Sequence, residues 1–308
     1  MVKDLENAEL ELYIRAGKIA CTVRKDAEKY VRPGLKLIDI ANFIEQRIME
    51  LGGQPAFPVN ISIDSIAAHY TPIPNDATSI NYGSAVKIDI GVHIDGYIAD
   101  TATTISLSDM HRPLVEATQQ ALEKALAAVA IGKRFSDIGV IIEKTIKNYG
   151  FKPIYNLSGH RIDRYDIHAG ETIPNFNDQL NLGKFRPGNT YAIEPFATNG
   201  AGFVEDKKSV TIYALVYNPK KISKLSNESH KFYSYIYSLR RTLPFAIRWY
   251  TDIFSETLIE KILQELALKG LLTRYPVLVE RNYGIVTQFE HTLVIDKQGN
   301  VIVTTDQC

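Results

Sequence analysis

The 308-residue chain is 45% hydrophobic and 23% charged, which suits a soluble globular protein of one large domain or two smaller ones. Its 35 basic and 35 acidic side chains balance, so nothing indicates nucleic acid or an anionic membrane as an electrostatic partner. Signal-peptide and membrane-spanning patterns are absent, and Cys21 and Cys308 form neither a disulfide framework nor a zinc motif. We therefore expect a cytoplasmic protein in a reducing compartment, and nothing demands more than a monomer.

Two helical patterns open the chain. Apolar residues recur at helical spacing up to Tyr30, and Pro33-Gly34 ends this segment. A second pattern runs through Ile40, Ile44 and Ile48 and is closed by glycines.

The segment Lys87–Thr104 predicts a β-hairpin, because Asp95-Gly96 is a strong two-residue turn signal between alternating apolar runs. With this turn Asp89 faces Ala102, and Asp100 is its diagonal neighbour on the same face. Two carboxylates side by side in a buried sheet repel unless a cation lies between them, so the pair indicates a metal ion. The alternative is a turn aspartate and a surface aspartate on an edge hairpin.

Two further helical patterns follow the hairpin. One covers Pro113 to Ile131, and the next ends at Gly150. This last helix repeats the second one, since eight identical residues recur without a gap 98 positions apart, from Gly34 to Pro55 in the first copy. The repeat indicates an internal duplication, and it predicts a pseudo-symmetric α/β domain with a site between its halves.

Three later strand-like segments carry isolated ligand-type side chains: His160 and His168, then Glu194, then Glu290. Singly, each is explained as well by an exposed glutamate or a hydrogen-bonded histidine. Together, two aspartates, one histidine and two glutamates form an oxygen-and-nitrogen set without cysteine. Such a set suits a pair of divalent ions such as Mn, Co, Fe or Zn, an arrangement common in hydrolases.

Between the last two of these segments the composition changes. Aromatic and basic helical patterns replace strand alternation after about residue 215, and Thr257 to Lys269 is amphipathic. We therefore predict an inserted α-helical subdomain over 216–280, and a catalytic domain made of 1–215 plus 281–308.

The ordered residues Asp89, Asp100, His160, Glu194 and Glu290 resemble the five metal ligands of the methionine aminopeptidase family. The strings KIDIGVHIDGYIADTA, SGH, AIEPFAT and QFEHTLV carry this resemblance, which covers essentially the whole chain. The insert is similar to that of the type II subfamily in its minimal, archaeal-style form. The resemblance implies the α+β pita-bread (creatinase/aminopeptidase) fold, whose two halves enclose the site.

The same resemblance implies how the ligands share two divalent ions. Asp89 would bind one ion, Asp100 and Glu290 would bridge both, and His160 and Glu194 would complete the second. A hydroxide held by the ions would attack the scissile carbonyl, and Glu194 would pass a proton to the leaving amine.

Four more residues match family positions around the substrate. His168 matches a histidine that contacts the substrate carbonyl, and His69 matches one near the scissile amide. Phe57 and Ile167 match positions that line the methionine pocket, although ordinary core packing is the alternative for both. Some type II members carry a further histidine where this chain has Ile212 or Tyr213.

The implied function is removal of the initiator methionine from nascent chains with a small second residue, with transient association with the ribosome. A prolidase or aminopeptidase P relative is one alternative, and the insert and the string SGHRIDRYDIH argue against it. A non-catalytic pita-bread binding protein is the other, and the complete ligand set argues against it. His291, on the other strand face, and His93, near the turn, are not expected to bind metal.

Overall fold

The computed structural model describes residues 7–308. Its helices are α1 (Asn7–Tyr30), α2 (Leu37–Glu50), α3 (Arg112–Ala127), α4 (Phe135–Asn148), α5 (Pro219–Ile222), α6 (Asn227–Arg240) and α7 (Glu256–Leu268). The strands are β1 (Gln54–Pro55), β2 (Asn60–Ile63), β3 (Ile66–Ala68), β4 (Ala85–Ile94), β5 (Tyr97–Ser106), β6 (Lys152–Pro153), β7 (Ser158–Ile162), β8 (Thr172–Pro174), β9 (Thr190–Ile193), β10 (Phe196–Thr198), β11 (Val204–Leu215), β12 (Leu272–Glu280), β13 (Val286–Gln288), β14 (Glu290–Ile295) and β15 (Val301–Val303). Within the described residues, none of the helices combines the length and apolarity needed to cross a bilayer.

An antiparallel sheet dominates the fold. Within residues 7–308 it has nine strands, in the order β1-β4-β5-β14-β9-β7-β8, with β2 on β4 and β15 on β14. One face is covered by helices: α1 and α2 pack on the isoleucines of β4, and α3 and α4 pack on Tyr191, Ile193 and Leu293. Because side chains alternate along a strand, the residues between these apolar ones point to the opposite face.

The internal duplication is visible in the element boundaries. Helix α4 begins and ends 98 positions after α2, and the two-residue strand β6 follows β1 by the same offset. The residue before each helix has nearly the same extended backbone, with φ −74° and ψ 143° at Lys36 and φ −75° and ψ 145° at Arg134. Both predictions, the duplication and the pita-bread architecture, are confirmed.

The predicted hairpin is confirmed to the residue. Ile94 pairs with Tyr97, Asp89 with Ala102, and Gly91 with Asp100. Asp95 and Gly96 both have positive φ, 51° and 86°, as the type I′ turn requires.

Two predicted elements are wrong in part. Helix α3 ends at Ala127, not at Ile131, because the following residues turn away to bond another segment: Gly132 donates to the carbonyl of Phe185 at 2.9 Å. Strand β12 occupies nine residues that we expected to lose strand structure. It pairs with β11 and β3, which are distant in sequence, so the local pattern alone gave a weak signal.

The helical part of the insert, α5 to α7, has its own apolar core. Phe232, Ile236, Phe245, Ile259 and Leu266 are buried together. The strands β11 and β12 lead into it and out of it. The division at 216–280 stays our proposal for the domain organisation, with β12 at its end as the strand that returns the chain to the sheet of β11 and β3.

The expectation for the cysteines is wrong. Cys21 on α1 and Cys308 form a disulfide with a Cα–Cα distance of 5.9 Å. The sequence gives no hint of this pair, because 287 positions separate them and only the tertiary fold brings the C-terminus against α1. Intracellular proteins of hyperthermophiles also carry disulfides, so the bond does not identify a compartment.

Candidate metal centre

Five adjacent strands present polar side chains from the sheet face that lies opposite the helices. In one row across the strands, Asp89 pairs with Ala102 and Ala102 pairs with Glu290. Glu194 directly follows the last paired residue of β9, so it continues this row beside Glu290. Residues opposite one another share a face, and the three carboxylates therefore project together.

A second row of residues lies two positions along each strand from the first row, on the same face. The backbone N–H of Asp100 donates to Oγ1 of Thr292 at 2.8 Å, Thr292 pairs with Ala192, and Ala192 pairs with His160. Because Asp100 and Asp89 lie on the same face of the hairpin, both rows face one site. Their small residues, Ala102 and Ala192, leave space between the ligand-type side chains.

The polar groups lie within reach of one another. Nε2 of His160 is 3.8 Å from Oδ2 of Asp100 and 3.6 Å from Oε1 of Glu194. One ligand atom each from Asp100, His160 and Glu290 lies within 4.8 Å of the others. Nε2 of Gln288 is 3.5 Å from a carboxylate oxygen of Asp89 and from one of Glu194.

Several of these buried atoms lack a hydrogen-bond partner within residues 7–308. They are Oδ1 of Asp89, Oδ1 of Asp100, Nδ1 of His160 and Oε1 of Glu290. A buried polar atom without a partner is destabilising, so a cluster of them indicates something to be bound. Carboxylate oxygens and imidazole nitrogens are donors that divalent ions accept, so the residues present fit a metal site.

The electrostatics of the cluster also fit a bound cation. Burial raises the pKa of Asp89 to about 7. Burial, followed by repulsion from neighbouring carboxylates, raises the pKa values of Asp100, Glu194 and Glu290 well above their ordinary range. Burial also lowers the pKa of His160, which keeps its imidazole neutral. A bound cation would favour the ionised carboxylates and would use the neutral imidazole.

The two rows form the floor of a cavity of about 360 Å³. Phe57, His69, Ile167 and His168 line it together with the five ligand-type residues, so all the predicted site residues meet in one place. His69 has φ 63°, and its Nδ1 lies 3.2 Å from the carbonyl oxygen of Pro276. A carbonyl only accepts, so Nδ1 carries the proton and Nε2 is free to accept. Burial lowers the pKa of His69 to about 4.

Comparison with known proteins identifies the family. Residues 11–296 match the family model described as metallopeptidase family M24. The chain belongs to metallopeptidase family M24. Proteins named methionine aminopeptidase are close relatives: that of Pyrococcus abyssi is 45% identical over 97% of this chain and 100% of its own length, and that of Thermococcus kodakarensis is 44% identical over 96% and 99%. The chain therefore falls among the methionine aminopeptidases of the M24 family, and it is a metallo-exopeptidase.

Solved structures share the M24 fold. A thermophilic Arx1 superposes with a TM-score of 0.84 at 20% identity and covers 97% of this chain and 91% of its own. The methionine aminopeptidase of Thermotoga maritima gives a TM-score of 0.71 at 20% identity, with full coverage of both chains. The prolidase of Pyrococcus furiosus gives 0.61 at 16% identity and covers 100% of this chain and 66% of its own.

The other histidines of this M24 chain lie apart from the centre. Nδ1 of His93 accepts from the N–H of Gly96 at 3.2 Å, at the hairpin turn. His291 contacts Thr305 at 2.8 Å and the guanidinium of Arg24, on the helix-covered face. His291 is not a candidate ligand, because strand alternation turns it away from the site that its neighbour Glu290 faces.

The sequence reasoning missed three residues that border the M24 site. Gln288 contacts two of the carboxylates, and its spacing of two from Glu290 was a usable signal. Asn60 pairs with Asp89 at the end of the first row, and its Oδ1 is buried without a partner within residues 7–308. Tyr275 lies 5.5 Å from the ring of His69, but it belongs to the segment that we expected to lack strands.

Proposed function

We propose that this chain removes the N-terminal methionine of nascent polypeptides, with two divalent ions held by Asp89, Asp100, His160, Glu194 and Glu290. The observation that carries the proposal is the set of buried, unpartnered oxygen and nitrogen atoms on the floor of the cavity. Membership of the methionine aminopeptidases supports the substrate.

Strand order supports the division of ligands between two ions. Asp89 lies on β4, Asp100 on β5, Glu290 on β14, Glu194 after β9 and His160 on β7, and these strands are neighbours in that order. Glu290 is the middle one of the five and Asp100 is its neighbour, and the family resemblance implies that both would be shared by the two ions. The donor set accepts Co, Mn, Fe or Zn, so it does not select one of them.

When bound, such ions polarise the peptide carbonyl and lower the pKa of water enough to provide a nucleophile near neutral pH. The side chains of this chain then move protons and hold the substrate. Glu194, ionised beside the ions, would accept a proton from the nucleophile and deliver it to the leaving amine. His69, with a free Nε2 acceptor, would bind the N–H of the scissile amide, and His168 would contact the carbonyl oxygen.

The apolar side of the cavity explains the choice of methionine. Phe57 and Ile167 are buried in one cluster with Ile98, Ile162 and Leu243. A dry slot of this kind favours a flexible, unbranched thioether over a charged or polar side chain. We further propose a cytoplasmic monomer that meets its substrates at the ribosome transiently and requires neither nucleic acid nor membrane.

The test is a comparison of peptides with the metal-loaded protein. We expect release of methionine from Met-Gly-Met at least 100-fold faster than cleavage of Ala-Pro or Leu-Pro. Faster cleavage of the proline peptides would favour a prolidase-like enzyme, whose fold is shared here. Protein that binds no divalent ion by calorimetry and cleaves neither peptide would favour a non-catalytic binding protein.

A further inference from the structure

The helical insert contacts the substrate cavity at the end of α6. Arg241, the next residue, has φ 55° and ψ −116°, a conformation that turns the chain sharply. Oγ1 of Thr242 then donates to the carbonyl of Tyr165 at 2.8 Å, Leu243 packs in the apolar cluster that contains Phe57, and Pro244 lines the cavity. One short turn of the insert thus forms part of the wall that surrounds the substrate side chain.

Arg240 joins this turn to the backbone that leads into Phe57. Its Nη2 donates to the carbonyl of Pro55 at 2.8 Å and to that of Ala56 at 3.2 Å. The same Nη2 and Nε donate to the carbonyl of Pro244 at 2.9 and 3.1 Å. One planar guanidinium therefore bridges the backbone before Phe57 and the backbone after Leu243.

The environment of Arg240 is unusual for a cation. The side chain is buried, and the bonds above all end on backbone carbonyls, while the ring of Trp249 lies 4.5 Å from the guanidinium carbon. The nearby carboxylate, that of Glu45, is bonded to Arg248 and Trp249. Burying a cation against neutral acceptors is energetically unfavourable. If the contact served stability alone, apolar packing would provide it at a lower cost in free energy.

Both backbone segments that Arg240 holds lead directly into the cavity wall. Phe57 follows Ala56, and it packs in the cluster that contains Ile167 and Leu243. A shift of either segment would change the distance between Phe57 and Pro244, which both line the cavity. The width of the apolar slot is therefore tied to the length of one side chain.

We propose that Arg240 is a positioning residue that sets the width of the methionine pocket and thereby the preference for methionine over branched side chains. The proposal rests on the proposed aminopeptidase function. It gives the insert a definite role, because α6 delivers the residue that joins the two walls. Lysine is a poor replacement, since its nitrogen lies one atom nearer the backbone than Nη2 and it lacks the second donor, Nε.

Arg248 provides a matched control from the same insert. Its Nη2 bonds Oε1 of Glu45 and lies 3.1 Å from Oγ1 of Thr71, and so it also joins the insert to the catalytic part. Its hydrogen bonds do not involve the backbone beside the pocket. Lysine keeps a cation beside Glu45, whose Oε1 also accepts from the N–H of Val59 at 3.1 Å, so Arg248→Lys should weaken docking of the insert without changing the pocket.

The experiment compares kcat/KM for Met-Gly-Met and Leu-Gly-Met in wild-type, Arg240→Lys and Arg248→Lys proteins. The ratio of the two values does not depend on the fraction of active enzyme, because each preparation is assayed with both peptides. We expect Arg240→Lys to lower this ratio about tenfold, mainly through KM for the methionine peptide, at unchanged metal content. Arg248→Lys should keep the wild-type ratio even where its thermal midpoint falls.

An unchanged ratio in Arg240→Lys would overturn the proposal, and so would an equal loss in both variants. If Arg240→Lys does not fold, Leu243→Ala tests the same wall: we expect a lower ratio, and the wild-type value would again overturn the proposal. Wild-type protein that fails to cleave Met-Gly-Met would instead refute the proposed function.

Discussion

At the scale of residues, the absence of a side chain at Gly91 shapes the site. Gly91 lies two residues after Asp89 on β4, on the same face, and a Cβ at this position would overlap the ring of Phe57. The ring occupies the space that a side chain would fill. Strand β4 therefore supplies a candidate metal ligand, Asp89, and, at Gly91, the surface on which the ring of Phe57 packs.

Gly91→Ala should displace the Phe57 ring and raise KM for Met-Gly-Met about tenfold, because the wall of the apolar slot moves. Metal content should not change, since the methyl group points at the ring. Steady-state kinetics and metal analysis on the same preparation check this. A normal KM would mean that Phe57 does not contact the substrate.

Asp100→Asn should remove at least one ion and lower kcat more than a thousandfold, since this side chain is proposed to bridge both ions. His69→Ala is the matched comparison, because it removes a group proposed to contact only the substrate. It should lower kcat by roughly 100-fold while leaving metal content intact. Loss of metal in His69→Ala, or retention of both ions in Asp100→Asn, would contradict these roles.

At the scale of elements, the site is a property of strand register. Asp89, Glu290 and Glu194 meet because three separate strand pairings bring them into one row. A slip of one residue in any pairing would turn a carboxylate toward the helices. The two positive-φ residues of the Asp95-Gly96 turn fix the first of these registers.

Local signals account for what the sequence predicted well. The hairpin follows from its turn residues and alternation, and the duplicated helices follow from a repeat that is legible without a structure. Strand β12 was missed for two reasons. Its partners, β11 and β3, are remote in sequence, and the polar residues Thr273 and Arg274 near its start hide the alternation. The five candidate ligands were noticed from their isolation in apolar runs, and the family resemblance selected His160 from the two histidines. Arg240 was not noticed, since only tertiary contacts distinguish it from other surface-type arginines.

The raised pKa of Asp89 can be tested in metal-free protein. The pKa of Asp89 is about 7 in the folded state against 3.8 for the ordinary group, so between these values the folded chain holds a proton that the unfolded chain has released. This contribution to stability is present below about pH 4 and is lost as the pH rises through 7. Buried histidines such as His69, whose pKa is lowered, act in the opposite direction, so total stability is not the useful measure.

The difference between Asp89→Asn and wild type isolates the carboxyl. Asp89→Asn should gain stability relative to wild type as the pH rises from 4 to 7, because the amide does not ionise. Urea unfolding of chelator-treated proteins at several pH values measures this difference. A difference that is constant with pH, or that falls, would show that Asp89 ionises normally.

At the scale of the whole molecule, Cys21–Cys308 joins the helix layer to the C-terminus. The preceding 3₁₀ turn, Thr304–Asp306, packs on α1, where Gly17 allows the backbone of Thr304 to approach closely. Oγ1 of Thr305 contacts His291, which is the neighbour of Glu290. The C-terminal segment therefore supports the strand that carries Glu290, the candidate ligand in the middle of the site.

Cys308→Ser should lower stability by about 2–5 kcal/mol, because the bond closes a very long loop of the unfolded chain. The thermal midpoint should fall by several degrees. Calorimetry with and without reductant checks this, since wild-type protein in reductant should match the variant. Identical midpoints for the oxidised wild type and the variant would mean that the bond contributes nothing to stability.

The insert leaves and re-enters the fold between two paired residues. Leu215 at the end of β11 is opposite Leu272 at the start of β12, and the N–H of Val216 donates to the carbonyl of Leu271 at 2.9 Å. A polypeptide of any length can be spliced between two points that already touch, because the entropy of closing it rises only slowly with length. The fold therefore offers a place where the protein could gain or lose a substrate-selecting module in a single genetic event, with the register of the catalytic strands left as it was.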